Sequence, residues 1–272
     1  DDFPTPKNTE KATTSPMAPD EVVATAKLPP GFVLSVFAAE PNVQNPIAIT
    51  TDERGRLWVA ENYSWAGGGA GGFDPNQRDR IVVLEDSDGD GKHDKRTVFW
   101  DSARKLTSIE VGYGGVWAIC LPNLLFIPDA NRDDVPDAAP QIVLDGMNEG
   151  VVGHTPANGL KWGPDGWLYG CQGSTVTSKI RGIEFQQGIW RYHPLTHEFE
   201  LFCEGGGNSW GLDFDDEGEL IYSTNLGRYR NLHGVQGGYY WKSLGKHGLL
   251  HNPYAFGFFD HIPHTNFFGG HV

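Results

Sequence analysis

The chain has 272 residues, with 35 Asp+Glu against 21 Lys+Arg, a formal net charge of −14, 36 Gly, 18 Pro and 9 Trp. The acidic excess argues against a nucleic-acid backbone or an anionic membrane surface as the main partner, and no run of about 18 apolar residues is present to span a bilayer as a helix. Glycine, proline and aromatic content together point to many short strands joined by turns, rather than to a helical bundle.

Taken in chain order, residues 1–20 (DDFPTPKNTEKATTSPMAPD) are polar and nearly free of large apolar groups, and read as a disordered leader. The first residue is Asp1 rather than Met, which reads as the start of a processed product. A unit then recurs. The segments DERGRLWVAEN, GYGGVWAICLP, GPDGWLYGCQG and DDEGELIYSTN carry a turn glycine (Gly55, Gly114, Gly166, Gly218) ahead of a short apolar or aromatic strand, at intervals of 59, 52 and 52 residues. Such self-similarity marks a repeat architecture. Before each glycine lies a second strand-like stretch, NPIAITTD, LTSIEVGY, NGLKWGPD and SWGLDFDD, so every unit opens with a hairpin.

An outer hairpin follows in the first three units: 80–85 (RIVVLE) with 96–100 (RTVFW), 123–128 (NLLFIP) with 141–144 (QIVL), and 188–193 (GIWRYH) with 198–203 (EFELFC). Four strands per period predict an all-β fold, a β-propeller of four-stranded blades. Four units fill about residues 45–250, a fifth glycine falls due near 270, and the sequence stops at NFFGGHV without a turn signal. The expectation is a propeller domain over residues 21–272, incomplete at its C-terminus. It holds about four to five blades truncated from a six-bladed or larger ring, a closed four-blade ring being the alternative.

Two Asp-rich loops in the outer hairpins carry metal-ligand spacing. Asp86, Asp88, Asp90 and Asp94 place oxygens at positions 1, 3, 5 and 9 with Gly91 at position 6, the first three-quarters of a calcium loop. Asp129, Asn131, Asp133 and Asp137 repeat the spacing, with Asp134 where glycine is preferred. The spacing predicts structural Ca²⁺ in each, away from the propeller axis, with a solvated acidic turn as the competing reading. The three cysteines, Cys120, Cys171 and Cys203, form no CxxC or CxxCH pattern. One disulfide with a spare thiol and three buried thiols both remain open. The stretch 67–72 (GGGAGG) matches G-x-G-x-x-G but precedes no helix, and reads as a flexible loop.

A propeller builds its ligand site from loops at one mouth of its axis, so polar residues flanking inner strands are the functional candidates. His154 and Asn158 precede or open the third inner strand, and Asn208 holds the matching place in the fourth unit. Asparagine is also a common turn-former. His154 is not, and its ordinary pKa suits a general base. At other strand ends lie Glu61, Asn62 and Tyr63, then Arg228, Arg230 and His233, where an arginine pair suits anion or carboxylate recognition and a surface ion pair is the competing role. His247, His251, His261, His264 and His271 fit no zinc spacing.

On HTPANGLKWGPDGWLYG, DRIVVLEDSDGDGKHDKRTVFW, LTSIEVGYGGVWAICLPNLLFIPD and NPYAFGFFDHIPH, the sequence resembles the PVC-type membrane-bound dehydrogenase domain family over about residues 20–272. That family is often joined to a c-type haem domain and is similar to soluble glucose/sorbosone dehydrogenases, six-bladed propellers that use pyrroloquinoline quinone (PQQ) with calcium. The resemblance implies a periplasmic or otherwise extracytoplasmic oxidoreductase. His154 would be the general base on a sugar or alcohol hydroxyl, and PQQ the hydride acceptor. Asn62, Asn158, Asn208, Arg228, Arg230 and His233 would bind cofactor or substrate, and a c-type haem outside this chain would accept electrons. Gly207 stands where the sugar enzymes carry an arginine, so Arg228 or Arg230 would have to meet the quinone carboxylates. The alternative is a non-catalytic carbohydrate- or protein-binding propeller with structural calcium, since fold alone does not decide function.

Overall fold

The turn glycines organise the architecture. Gly55, Gly114, Gly166 and Gly218 all adopt positive φ, between 76° and 84°, a conformation that disfavours any residue with a Cβ. In three of the four turns an aspartate locks the chain. Asp52 accepts the Arg54 and Arg56 amides, Asp165 accepts the Trp167 amide, and Asp215 accepts those of Glu217 and Glu219. The second unit instead makes a two-residue turn, Tyr113 (φ 53°) and Gly114 (φ 79°), closed by paired Gly112 and Gly115.

A computed structural model describes residues 16–65, 72–148, 156–174, 176–225 and 231–242. The leader expected over 1–20 lies mostly outside them. Pro19 and Asp20 open a short helix, α1 (Pro19–Thr25), with proline in its first turn and Asp20 and Glu21 at its positive end. No residue of α1 is buried. Among the described residues no helix is long and apolar enough to cross a membrane.

The repeat folds as four blades of a β-propeller. Blade one is β1 (Pro46–Thr51), β2 (Leu57–Glu61), β3 (Asp79–Glu85) and β4 (Lys95–Ala103), antiparallel in that order. Blade two is β5 (Leu106–Gly112), β6 (Gly115–Cys120), β7 (Asn123–Pro128) and β8 (Gln141–Leu144). Blade three begins with β9 (Ala157–Trp162) and β10 (Leu168–Gln172). A small hairpin not foreseen from the sequence, β11 (Ser178–Ile180) and β12 (Ile183–Phe185), then intervenes before β13 (Gly188–Tyr192) and β14 (Phe199–Gly206) complete the blade. Blade four contains β15 (Leu212–Phe214), β16 (Leu220–Ser223) and β17 (Asn231–Gly234).

The fourth unit departs from the four-strand rule. The next strand, β18 (Tyr239–Lys242), pairs in parallel with β14 of blade three. The reason is local: β14 runs past its pairing with β13, and Gly205 lets the chain come close. A Cβ at Gly205 would sit 2.5 Å from the Tyr240 carbonyl oxygen. A buried ion pair, Lys242 Nζ to Glu204 Oε2 at 2.9 Å, fixes the register.

Apolar residues fill the seams between blades. Trp58, Ile81 and Phe99 meet Ile109, Val116 and Ile127 between blades one and two. Trp117, Leu124, Leu160, Trp190 and Tyr192 fill the next seam, and Tyr169, Phe202, Tyr222, Leu232 and Tyr240 the third. The remaining face of blade one, Val59, Val82 and Leu84, is covered by Phe37, Ala38 and Val43 of the preceding segment. Glu61 ties that segment down. It is fully buried and takes the Gln44 amide at 2.8 Å, Arg80 Nε at 2.5 Å and Arg96 Nη2 at 3.4 Å.

All three cysteines are free and buried. Cys171 and Cys203 both pair with Ile189 from opposite sides of β13, so about two strand spacings, ~10 Å, separate them, too far for a disulfide. Burial pushes the Cys120 and Cys203 thiols up to about 12, which leaves them protonated and inert.

Candidate functional site

The innermost strands β1, β5, β9 and β15 stand side by side around the axis, and β2, β6, β10 and β16 return to the end at which they begin. Residues just before the former and just after the latter therefore share one mouth. Polar side chains stitch that mouth from blade to blade. Asn62 Nδ2 donates to the Leu106 carbonyl at 2.6 Å, Thr107 Oγ1 to the Ala157 carbonyl at 2.6 Å, and Asn158 Nδ2 to the Ser209 carbonyl at 3.1 Å.

Asn158 and Asn208 lie close together here, Asn158 bonding the carbonyl of Ser209, the residue after Asn208. Asn158 is fully buried, and its Nδ2 also holds the Pro156 carbonyl at 2.7 Å. Its Oδ1 has no hydrogen-bond partner among the described residues, and neither do the hydroxyls of Ser209 and Ser223. Such orphaned buried acceptors call for a donor from elsewhere, a water or a ligand hydroxyl. Asn208 Oδ1 accepts the Ser174 hydroxyl, and its amide donates to Asn225 Oδ1 at 2.9 Å. Thr224 Oγ1 accepts the neighbouring Gly207 amide at 2.6 Å. The mouth is thus lined by amides and hydroxyls, groups that match carbonyl and hydroxyl oxygens.

The other sequence candidates fall elsewhere. Asn62 lies at the mouth but is committed to the Leu106 stitch and to the Trp65 amide. His233 is not brought to the mouth: it sits on β17 opposite Ile221, and its Nε2 meets Glu219 Oε2 at 2.6 Å. His154 lies outside the described residues, as do Arg228 and Arg230 in the stretch of sequence between β16 and β17. So do the five histidines of the last 26 residues and all of the glycine run 67–72 except Gly72.

The two Asp loops differ. In the first, carboxylate oxygens of Asp86, Asp88 and Asp94 lie within 4.8 Å of one another. Asp90 is turned to the Lys92 amide instead. Backbone amides of Gly91, Gly89 and Asp90 hold the Asp86 carboxyl below the usual carboxylate range. Three hard oxygen donors at this separation fit a Ca²⁺ ion. In the second loop Asp129, Asp133 and Asp137 form no such group among the described residues. Their carboxylates cap the Asp133, Val135 and Ala130 amides. Asp134, the residue in the glycine position (φ 67°), turns away to Arg56.

Sequence reasoning missed an axial belt. Thr50, Glu110, Lys161 and Asp213 occupy one register position in the four blades: each pairs with the third residue after its turn glycine, namely Trp58, Trp117, Tyr169 and Ile221. Thr50 Oγ1 donates to Glu110 Oε1 at 2.5 Å, and Lys161 Nζ lies 3.4 Å from Asp213 Oδ1. Burial pushes the Glu110 carboxyl above its ordinary range, against the pull of Thr50, Val111 and Lys161. Aligning the four turns would have shown this position; searching for catalytic motifs passed over it. Thr50, Glu110 and Lys161 of the belt lie on a void of about 390 Å³ lined by all four innermost strands.

Fold and site together define a β-propeller with a polar axial mouth. The chain belongs to the family described as a domain of unknown function, DUF7133, whose profile matches residues 18–247. No curated protein matches the sequence. Among solved structures it is similar to the PQQ-bound form of aldose sugar dehydrogenase from Streptomyces coelicolor (TM-score 0.54, 18% identity, covering 81% of this chain and 67% of that one). It is also similar to a protein described as an oxidoreductase (glucose dehydrogenase) from Thermus thermophilus (TM-score 0.50, 17% identity, 73% and 64%). A third is the Trichoderma reesei carbohydrate-active enzyme of family AA12 (TM-score 0.52, 15% identity, 74% and 58%). The chain therefore spans about two thirds or less of these propellers. At such identities the likeness is one of fold.

Proposed function

We propose that this propeller is a quinone-dependent dehydrogenase acting on a sugar or related alcohol at the mouth where β9 and β15 begin. The observation that carries the reading is the orphaned Asn158 Oδ1, fully buried beside the Ser209 carbonyl, on a residue that follows His154 closely in the run HTPAN. A substrate or cofactor oxygen-bound proton is the donor that atom lacks. The fold shared with a PQQ-bound aldose sugar dehydrogenase supports the same reading.

The residues present fit PQQ in part by chemistry already described. The Asn208 side-chain amide and the Thr224 hydroxyl are donors that suit its carbonyl oxygens, and Arg228 and Arg230 are the cations in the adjoining sequence for its carboxylates. When bound, PQQ supplies the two-electron acceptor. His154 takes the proton of the hydroxyl being oxidised, Asn158 Oδ1 accepts from the hydroxyl next to it, and Asn208, braced by Asn225 and Ser174, helps to fix the substrate beside them. Ca²⁺ at Asp86, Asp88 and Asp94 is structural, out on the outer hairpin of blade one. An extracytoplasmic site of action and a c-type haem domain as electron acceptor complete the reading.

The test is dye reduction by the full-length protein supplied with PQQ and Ca²⁺, over a panel of sugars and alcohols. Reduction that His154→Ala abolishes while sugar affinity stays is the expected result. Absence of reduction with every substrate overturns the proposal. Binding without turnover would make the mouth a glycan-binding site instead.

A further inference from the structure

The void on the propeller axis has no role in the chemistry placed at the mouth. It extends along β1, β5, β9 and β15, from Thr107, Gly159 and Trp210 near the mouth to Thr50, Glu110 and Lys161 near the turns. Its volume of about 390 Å³ falls in the ~300–1,000 Å³ range of small-molecule sites. Glu110 is only 6% exposed. Both of its hydrogen bonds, from Thr50 Oγ1 and the Val111 amide, go to Oε1. Oε2 makes no hydrogen bond among the described residues.

We propose that this axial void is a second ligand site, for a small neutral molecule with neighbouring hydroxyls such as a monosaccharide or sugar alcohol. The ligand class rests on the sugar or alcohol reading above; the place of the site does not. Glu110 Oε2 accepts one hydroxyl, Lys161 Nζ donates to another, and the Thr50 oxygen offers a further acceptor. Trp210 also lines the void, and an indole is a surface against which the C–H face of a sugar packs. A bare cation is disfavoured by the Lys161 ammonium in the same belt. A bare anion is disfavoured by Glu110 and by Asp213 beside Lys161.

The experiment is titration calorimetry of the quinone-free full-length protein with D-glucose and D-sorbitol, paired with hydrogen-exchange mapping. Expected are saturable binding and slowed exchange over 106–112 and 157–162. Glu110→Gln and Trp210→Ala should each weaken affinity about tenfold or more, with thermal unfolding used to confirm that they fold. The exchange map of the unaltered protein stands even where a variant fails to fold. No saturable binding of either compound overturns the site. So does binding whose protection is confined to 172–174 and 207–209. Axial binding that persists without quinone-dependent dye reduction upholds this site while the dehydrogenase reading falls.

Discussion

Arg56 grips Asp134 with both prongs of its guanidinium, Nη1 to Oδ2 at 2.7 Å and Nη2 to Oδ1 at 2.9 Å, across 78 positions of sequence. The pair joins the inner turn of blade one to the outer loop of blade two. Both side chains are more than nine-tenths buried, and Arg56 Nε also meets Asp52 at 2.8 Å. Removing one partner of a buried pair strands the other, so Arg56→Met should cost about 3–5 kcal/mol in urea unfolding at pH 7. Burial pushes the Asp52 carboxyl up, but bonds from Trp58 and Arg56 outweigh it and hold the group below its ordinary value. Stability from Asp52 is therefore present above the ordinary carboxylate range, ~4, and lost as pH falls through the folded value. The deficit of Arg56→Met should shrink over that fall; a deficit constant from pH 7 to pH 3 counts against the assignment.

Asp79 makes a second junction between the same blades, with no solvent contact. It accepts the Tyr63 and Ser64 amides at 2.7 Å, the Ser64 hydroxyl at 2.7 Å and the Leu106 amide at 2.9 Å. Asp79→Ala leaves these four donors buried and unpaired, at ~1–3 kcal/mol each before relaxation or entry of water. A loss of about 3–5 kcal/mol is expected, with Ser64→Ala costing about 1 kcal/mol. Equal losses for the two variants in thermal unfolding would show that the backbone amides are satisfied otherwise.

The blade repeat was legible because each turn needs a positive-φ glycine ahead of an apolar strand, and that requirement leaves a fixed spacing. The positions of Asn158 and Asn208 ahead of Gly166 and Gly218 were legible for the same reason; a role in a site was not, because it depends on which atoms the neighbouring blade leaves unbonded. The route of β18 was not, since pairing beside β14 depends on room at Gly205 and on the Lys242–Glu204 pair, neither of which has a periodicity. The partner of Asp134 was not legible either. Its place in a calcium-like spacing says nothing of Arg56, which the fold brings to it from 78 positions away. The Thr50–Glu110–Lys161–Asp213 belt left a regular spacing but no shared residue type, so composition and motif hid it together.

The two Asp loops predict different responses to calcium. Asp86, Asp88 and Asp94 converge, whereas Asp129, Asp133 and Asp137 form no such group among the described residues. Ca²⁺ at about a hundred times its dissociation constant should stabilise the protein by ~2.7 kcal/mol, read as a rise in Tm that a chelator reverses. Asp88→Ala should remove that rise and Asp133→Ala should leave it. A rise that survives Asp88→Ala places the ion elsewhere.

Glu110 gives stability a pH dependence of opposite sign to Asp52. Its carboxyl is raised chiefly by burial and further by Asp213, while the Thr50 hydroxyl, the Val111 amide and Lys161 pull it down. A raised folded value means the fold favours the protonated acid. Its contribution is greatest below the ordinary carboxylate range, ~4, and falls as pH rises through the folded value. Glu110→Gln keeps an acceptor for Thr50 and removes the buried charge. It should therefore raise the urea midpoint at pH 7 and show no advantage below the carboxylate range. Thr50→Val, which deletes the donor to Oε1 and deepens the cost of ionising Glu110, should widen the gap between the two pH values. A Glu110→Gln protein that is less stable than its parent at pH 7 would mean that Lys161, not water exclusion, governs this carboxylate.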